Sequence, residues 1–151
     1  MYNLCYNFSQ YIPVDVKLNI LNVSTLNVEN LQYAIDEFQT ELNWKEMWDV
    51  DDAIHRINDK WDFNVIENND KIFGWVWYNP VIKELCNLYV HGDHRGNGIG
   101  SGLVYSMMNL TFRKNIKEIY CKVDDWNVAG YSLFTRCGWP DESNCSILYS
   151  N

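Results

Sequence analysis

The sequence predicts a mixed α+β fold built on a central, mostly antiparallel sheet with one parallel strand pair. Three observations predict it. Two helical stretches come before the main run of strands, three extended runs then follow one another across short turns, and a glycine-rich turn leads into a helix and a further strand. Short turns imply antiparallel neighbours. A strand–helix–strand unit makes the strands near residues 85 and 120 parallel, with a right-handed crossover.

In chain order, residues 1–16 are interrupted by Pro13 and read as an arm or an extra edge strand. Val16, Leu18 and Ile20 alternate with polar residues, the pattern of a half-buried strand. Ser24, Thr25 and Asn27 are good helix caps, and beyond them Val28, Leu31, Ile35, Phe38 and Leu42 share one helical face. A second helix is predicted from Asp51 to Asn58, with Ala53, Ile54 and Ile57 inward. Phe63–Glu67 ends at the turn signal Asn68-Asn69-Asp70, Lys71–Tyr78 ends at Asn79-Pro80, and Val81–Val90 is a third extended run. Leu103, Met107 and Leu110 make an apolar helical face, and Ile116–Val123 reads as a strand. Asn127 opens another helix, which Gly138 ends, and Ser146–Tyr149 reads as a last strand. Without an internal repeat, linker or low-complexity stretch, residues 1–151 are expected to form one domain.

Composition narrows the function. With 47% hydrophobic and 15% aromatic residues over 151 positions, the chain has ample material for a core and is not a disordered type. Twelve basic against 20 acidic residues give a net charge of −8, which disfavours nucleic acid and suits cationic partners such as amines or basic peptides. The uncharged, apolar runs Ile72–Ile82 and Ile99–Phe112 fall short of the roughly 20 residues of a membrane span, and no membrane contact is expected. The start of the chain has no basic segment followed by an apolar block, and the five scattered cysteines include no CxxC pair. This reads as a cytoplasmic protein with reduced thiols, most of them small core residues. Seven tryptophans leave room for an aromatic interface and hence a homodimer.

The stretch from Val90 to Leu103 carries the most chemistry. It places Arg95, Gly96, Asn97, Gly98, Ile99, Gly100 and Ser101 between a strand and a helix. A helix N-terminus offers free N–H groups and the positive end of a dipole, glycines let a phosphate approach, and Arg95 adds a fixed cation. A pyrophosphate is the natural ligand; a plain glycine-capped turn is the alternative. No lysine follows as a P-loop requires. The dinucleotide pattern fails in both registers, because Ser101 or Leu103 occupies the third glycine position. His91-x-x-His94 with Asp93 supplies too few ligands for zinc, and no metal is expected. A lipase-type elbow fails because Ile99 stands where the first glycine should be, and no Cys–His spacing supports thiol catalysis.

Arg95-x-x-Gly98-x-Gly100, after a strand ending at Val90, resembles the acyl-CoA signature Arg/Gln-x-x-Gly-x-Gly/Ala of the GNAT N-acetyltransferase superfamily. Asn127, Gly130, Phe134, Gly138 and Trp139 are similar to that family's second signature, Asn-x-x-Ala-x-x-x-Tyr-x-x-x-Gly-Phe. The resemblance is one of motifs over residues 82–139 and of element order over 17–80; residues 1–16 and the short C-terminus depart from it. It implies a GNAT-like sheet whose parallel pair is splayed, with helices on both faces. It also implies acetyl-CoA as cosubstrate and an acceptor amine, free or on a basic peptide, that attacks the thioester directly.

The resemblance also assigns roles. Leu88, Tyr89 and Val90 would offer backbone groups to the pantetheine arm, and Arg95 through Ser101 would cradle the pyrophosphate. Asn127 would hydrogen-bond the pantetheine, a role compatible with its other reading as a helix cap. An amine with pKa about 10.4 must lose a proton, at a cost of about 4.6 kcal/mol at pH 7. Glu84, an acid in a mostly apolar strand, matches the place where some branches put a catalytic Glu; otherwise it is an exposed neighbour of Lys83. Asp93, Asp49 and Asp51 are weaker candidates. Phe134 stands on the cofactor side where the family often carries a proton-donating Tyr. Tyr131, Cys137 or a water would have to substitute, or the chain binds acyl-CoA without turnover. Trp44 and Trp48 with Asp49, Asp51 and Asp52 read either as a cation site or as one core Trp and a solvated acidic cap.

Overall fold

The structure, a computed structural model, describes residues 1–22, 28–42, 49–69 and 71–139. Among the described residues there are six strands and four α-helices. They run β1 (Tyr2–Asn7), β2 (Ile20–Asn22), α1 (Val28–Leu42), α2 (Val50–Asn58), β3 (Asp62–Asn68), β4 (Lys71–Asn79), β5 (Glu84–Val90), α3 (Ile99–Arg113), β6 (Glu118–Val123) and α4 (Val128–Arg136). One sheet holds all six strands in the order β1-β6-β5-β4-β3-β2, antiparallel except for β5 and β6.

Alternation along the strands sends side chains to two cores. Phe63, Val65, Trp75, Trp77 and Tyr89 meet Leu31, Ala34 and Ile35 of α1 and Val50 and Ala53 of α2. On the opposite face Val76, Leu85, Ile119 and Cys121 meet Leu103 and Met107 of α3 and Phe134 of α4. The helices therefore cover both faces. Gly74 lets α3 approach, since a Cβ there would lie 3.2 Å from Leu103 Cδ1.

The parallel pair is short for a local reason. Trp77 pairs with Cys86 and Trp75 with Tyr89, so Val76 alone opposes both Asn87 and Leu88. This is a β-bulge, with Asn87 left-handed at φ 52°. A bulge bends its strand, and the pairing of β5 with β6 stops at Glu84↔Tyr120 and Leu85↔Cys121.

The structure revises several expectations. Of the two readings of residues 1–16, the extra edge strand holds for residues 2–7, which pair antiparallel with β6. The alternation at Val16, Leu18 and Ile20 yields a strand only at Ile20–Asn22, because Val16 and Leu18 pack on α3 beside Gly102 instead of joining the sheet. Asn109 of α3 holds this arm, accepting from the Tyr11 hydroxyl at 2.6 Å and the Val14 amide at 3.1 Å. Ile54, expected inward, is exposed. Val81 and Ile82 are exposed in a turn, which Pro80 and the left-handed Lys83 (φ 58°) impose. Cys5 is disulfide-bonded, against the expectation of reduced thiols throughout, whereas Cys86, Cys121 and Cys137 are free. The helix caps at 24–27, Trp44, Trp48 and the strand expected at 146–149 lie outside the described residues.

Candidate functional site

The glycine-rich turn begins where β5 ends. His91 donates its amide to the Phe73 carbonyl at 2.7 Å and opens a short 3-10 turn over Gly92–His94. Its Nδ1 accepts from the Asp93 amide at 3.2 Å. Arg95 folds back, its Nε donating to the Val90 carbonyl at 2.9 Å. Gly96 and Gly98 are left-handed at φ 83° and 76°, and a Cβ on either would meet nothing within 4 Å. The turn is therefore open on its outer side.

Gly98 is the N-cap of α3 and brings no side chain to cap it. The first intrahelical bond of α3 runs from the Gly102 amide to the Gly98 carbonyl at 3.0 Å. The amides of Ile99, Gly100 and Ser101 thus precede the helix's own ladder, at the positive end of its dipole. Burial raises the Cys137 thiol above its ordinary value, and the neighbouring Ser101 and Tyr105 side chains pull the other way. Gly100 sits against α4, where a Cβ would lie 3.1 Å from Leu133 Cδ2.

At the other end of β5, Glu84 is half-buried beside the start of β6. Burial raises its carboxyl above the usual range, and Lys122 pulls the other way. Burial pushes the Cys86 thiol up to about 12 against the opposing charge of Arg56, and burial also holds the Cys121 thiol well above its ordinary value, so both remain thiols. The Tyr120 phenol, also pushed up to about 12 by burial and by Glu118, donates to Glu118 at 2.8 Å. Between the two ends, Leu88 and Val90 lean toward the α3 core and Tyr89 toward the α1 core.

Of the α4 residues, Asn127 caps the helix by accepting from the Gly130 amide at 2.9 Å. Tyr131 packs on Tyr2 with the rings tilted by 37° and their centroids 4.3 Å apart. Phe134 is buried edge-on to Trp139 at 5.1 Å, inside the core. The sequence-chosen residues therefore form two groups: Val90 and Arg95–Ser101 at the head of α3, and Glu84 beside β6. Asp49 and Asp52 cap each other across the first turn of α2. Among the described residues no group of three His, Cys, Asp or Glu could hold a metal, and no helix is long and apolar enough to cross a membrane.

Sequence reasoning missed two contacts. Arg56 of α2 donates to Asn87 at the bulge at 2.7 Å, and His91 faces Glu37 of α1. The signal for the first was an Asn inside an apolar strand, which asks for a partner; the second left none.

The sequence profile of the Acetyltransferase (GNAT) family matches residues 27–139. No curated protein matches the chain significantly. Among solved structures, the fold is similar to the GCN5-related N-acetyltransferase from Sphaerobacter thermophilus, with TM-score 0.70 and 13% identity over 93% of this chain. It is similar to the ribosomal-protein-alanine N-acetyltransferase from Brucella melitensis, with TM-score 0.67 and 18% identity over 80% of this chain and 83% of that one. It is also similar to the PaiA N-acetyltransferase from Thermoplasma acidophilum in complex with coenzyme A, with TM-score 0.64 and 16% identity over 79% and 88% of the two chains. The chain spans about half the length of two matched structures, 48% of the Sphaerobacter protein and 47% of one from Drosophila. With the profile covering most of its length, the chain belongs to the Acetyltransferase (GNAT) family.

Proposed function

We propose that this chain transfers an acetyl group from acetyl-CoA to a primary amine by direct attack. The observation that carries the proposal is the uncapped head of α3, opened by Gly96 and Gly98, next to a bulged strand that leaves its parallel neighbour. A diphosphate suits this turn: three amides, the helix dipole and Arg95 supply positive character, and no Cβ obstructs the approach. When bound, acetyl-CoA supplies the thioester electrophile and a thiolate leaving group.

The chain's own residues do the rest. Arg95 and the amides of Gly96–Ser101 hold the diphosphate. Main-chain groups of Leu88–Val90, past the end of the β5–β6 pairing, receive the pantetheine arm and polarise the reacting carbonyl. The Asn127 side chain gives its Oδ1 to the Gly130 amide and keeps its Nδ2 hydrogens for the arm. Glu84, whose half-buried carboxyl is a stronger base than an exposed one, takes the proton of the acceptor ammonium. Tyr131, one helical turn before Phe134, protonates the departing sulfur and is reprotonated by the proton that the attacking nitrogen sheds as the amide forms. The acidic surface suits a cationic acceptor, either a small amine or a basic peptide.

The test is release of free thiol from acetyl-CoA across a panel of small amines and basic peptides, with Glu84→Gln as control and coenzyme A binding followed by calorimetry. Turnover that Glu84→Gln abolishes, with coenzyme binding retained, supports the proposal; no binding overturns it. Phe134 favours a second reading, a coenzyme A binder without turnover, because the residue at the family's usual Tyr position has no proton to give. Tight binding with no thiol release on any acceptor would select that reading.

A further inference from the structure

Asn87 is the residue of β5 most in need of support. It is the extra residue of the bulge, its φ of 52° is left-handed, and it follows closely on the last pairing of β5 with β6 at Leu85↔Cys121. That support comes from another element. Nη1 of Arg56, on α2, donates to Oδ1 of Asn87 at 2.7 Å. The guanidinium is itself fixed, with its carbon 4.5 Å from the Trp61 ring centroid and 5.3 Å from that of Trp77. Trp77 is the β4 residue paired with Cys86, immediately before the bulge, and it is stacked on Phe63 at 3.7 Å. The Trp61 amide donates to the Arg56 carbonyl at 3.0 Å, so the end of α2 and its charged side chain are held together.

We infer that Arg56 and Asn87 are a positioning pair that fixes the bulge and thereby aims the main-chain groups of Leu88–Val90. The inference rests on the acyl-CoA reading above for its effect on turnover, but not for its effect on the strand. Charged donors make stronger hydrogen bonds than neutral ones, and a planar guanidinium packed against two indole rings that meet edge to face holds one direction where a lysine would not. Asn tolerates the left-handed region better than most residues. Arg56 meets β5 from the α1/α2 face, whereas the glycine-rich turn opens from the end of the same strand. The pair therefore joins α2 to the strand that would carry the thioester. Neither residue is placed at the reacting atoms.

The test uses Arg56→Met, which keeps an apolar stem in place of the guanidinium, Asn87→Gly, which keeps the left-handed backbone, and Asn87→Asp, which keeps an acceptor oxygen. Amide hydrogen exchange at residues 87–90 is read by NMR on the protein without ligand. Thiol release from acetyl-CoA, with the best amine of the panel, is read beside it. Arg56→Met and Asn87→Gly are each expected to speed exchange at 87–90 about tenfold and to lower kcat about tenfold, with KM for acetyl-CoA changed less than about threefold. Asn87→Asp should restore both. The double variant should be no worse than either single one, as expected of partners in one interaction. Unchanged exchange at 87–90 in both disrupting variants, or an Asn87→Asp protein indistinguishable from Asn87→Gly, overturns the inference. The exchange measurement needs no coenzyme: a wild-type chain that ignores coenzyme A would overturn the proposed function and still leave exchange to decide the pair.

Discussion

Nε2 of His91 lies 3.3 Å from Oε2 of Glu37, which ties the first residue after β5 to helix α1. The other ring nitrogen accepts from the Asp93 amide, so the imidazole bridges the glycine-rich turn and the helix on the α1/α2 face. His91→Ala should loosen the turn and weaken coenzyme A binding about threefold to tenfold, the range expected for one lost hydrogen bond. Glu37→Gln keeps an accepting oxygen and should stay within about twofold of wild type by calorimetry.

Gly98 and Gly102 separate binding from packing. Gly98→Ala adds a Cβ into open space at φ 76°, so its stability cost should be only the left-handed strain of about 1–2 kcal/mol. The same methyl stands at the mouth of the proposed diphosphate site and should weaken coenzyme A binding more than about tenfold. Gly102→Val works in the opposite way. A Cβ there already lies 2.5 Å from Leu18 Cδ1, so the variant should lose about 2 kcal/mol in denaturant unfolding by overpacking, with coenzyme affinity unchanged. Equal losses of affinity in the two variants would remove the turn from the binding site.

Glu84 should show opposite effects on activity and stability. Burial raises its folded-state pKa, so the folded protein binds the proton more tightly than the unfolded chain does. Stability therefore falls as pH rises from the ordinary carboxyl range, about 4.3, up through the folded-state value, and this penalty persists at neutral pH. Glu84→Gln removes the desolvated charge. It should raise Tm at pH 7 by about 1–3 °C and flatten the acid-side pH dependence of stability while abolishing turnover. Coincident loss of Tm and activity would show that the carboxylate holds the fold instead.

Tyr131→Phe keeps the ring that packs against Tyr2 and removes only the hydroxyl. Its kcat should fall at least about tenfold, with KM for acetyl-CoA and Tm within error of wild type. An unchanged kcat would show that the leaving sulfur needs no proton from this residue.

Sequence patterning exposed most of the frame because most of it is local. Val28–Leu42 and Ile99–Arg113 emerge as helices with the apolar faces their periodicity implies, seen at Leu31 and Ile35 in one and Leu103 and Met107 in the other. The turns around Asn69 and Pro80 bound β3, β4 and β5 within a few residues of the expected limits. Val16 and Leu18 misled because alternation records burial, and here an extended arm buries them on a helix. Val81 and Ile82 misled because apolar side chains occupy an exposed turn. The glycine-rich turn was legible because glycine there answers a backbone need, visible as left-handed φ at 96 and 98. The Arg56–Asn87 contact spans 31 positions and two elements, and no window of the sequence places one beside the other.

The place of β1 has a practical corollary. Residues 2–7 occupy the outer side of β6, and Asn7 Nδ2 donates to the buried Glu118 at 3.2 Å. A chain shortened to begin at Phe8 would bare a full row of β6 amides and carbonyls, flanked by the apolar Ile119, Cys121 and Val123. Such an edge is a template for another molecule's strand, so the truncated protein should be prone to filament growth. Bulky fusions are better placed away from this end.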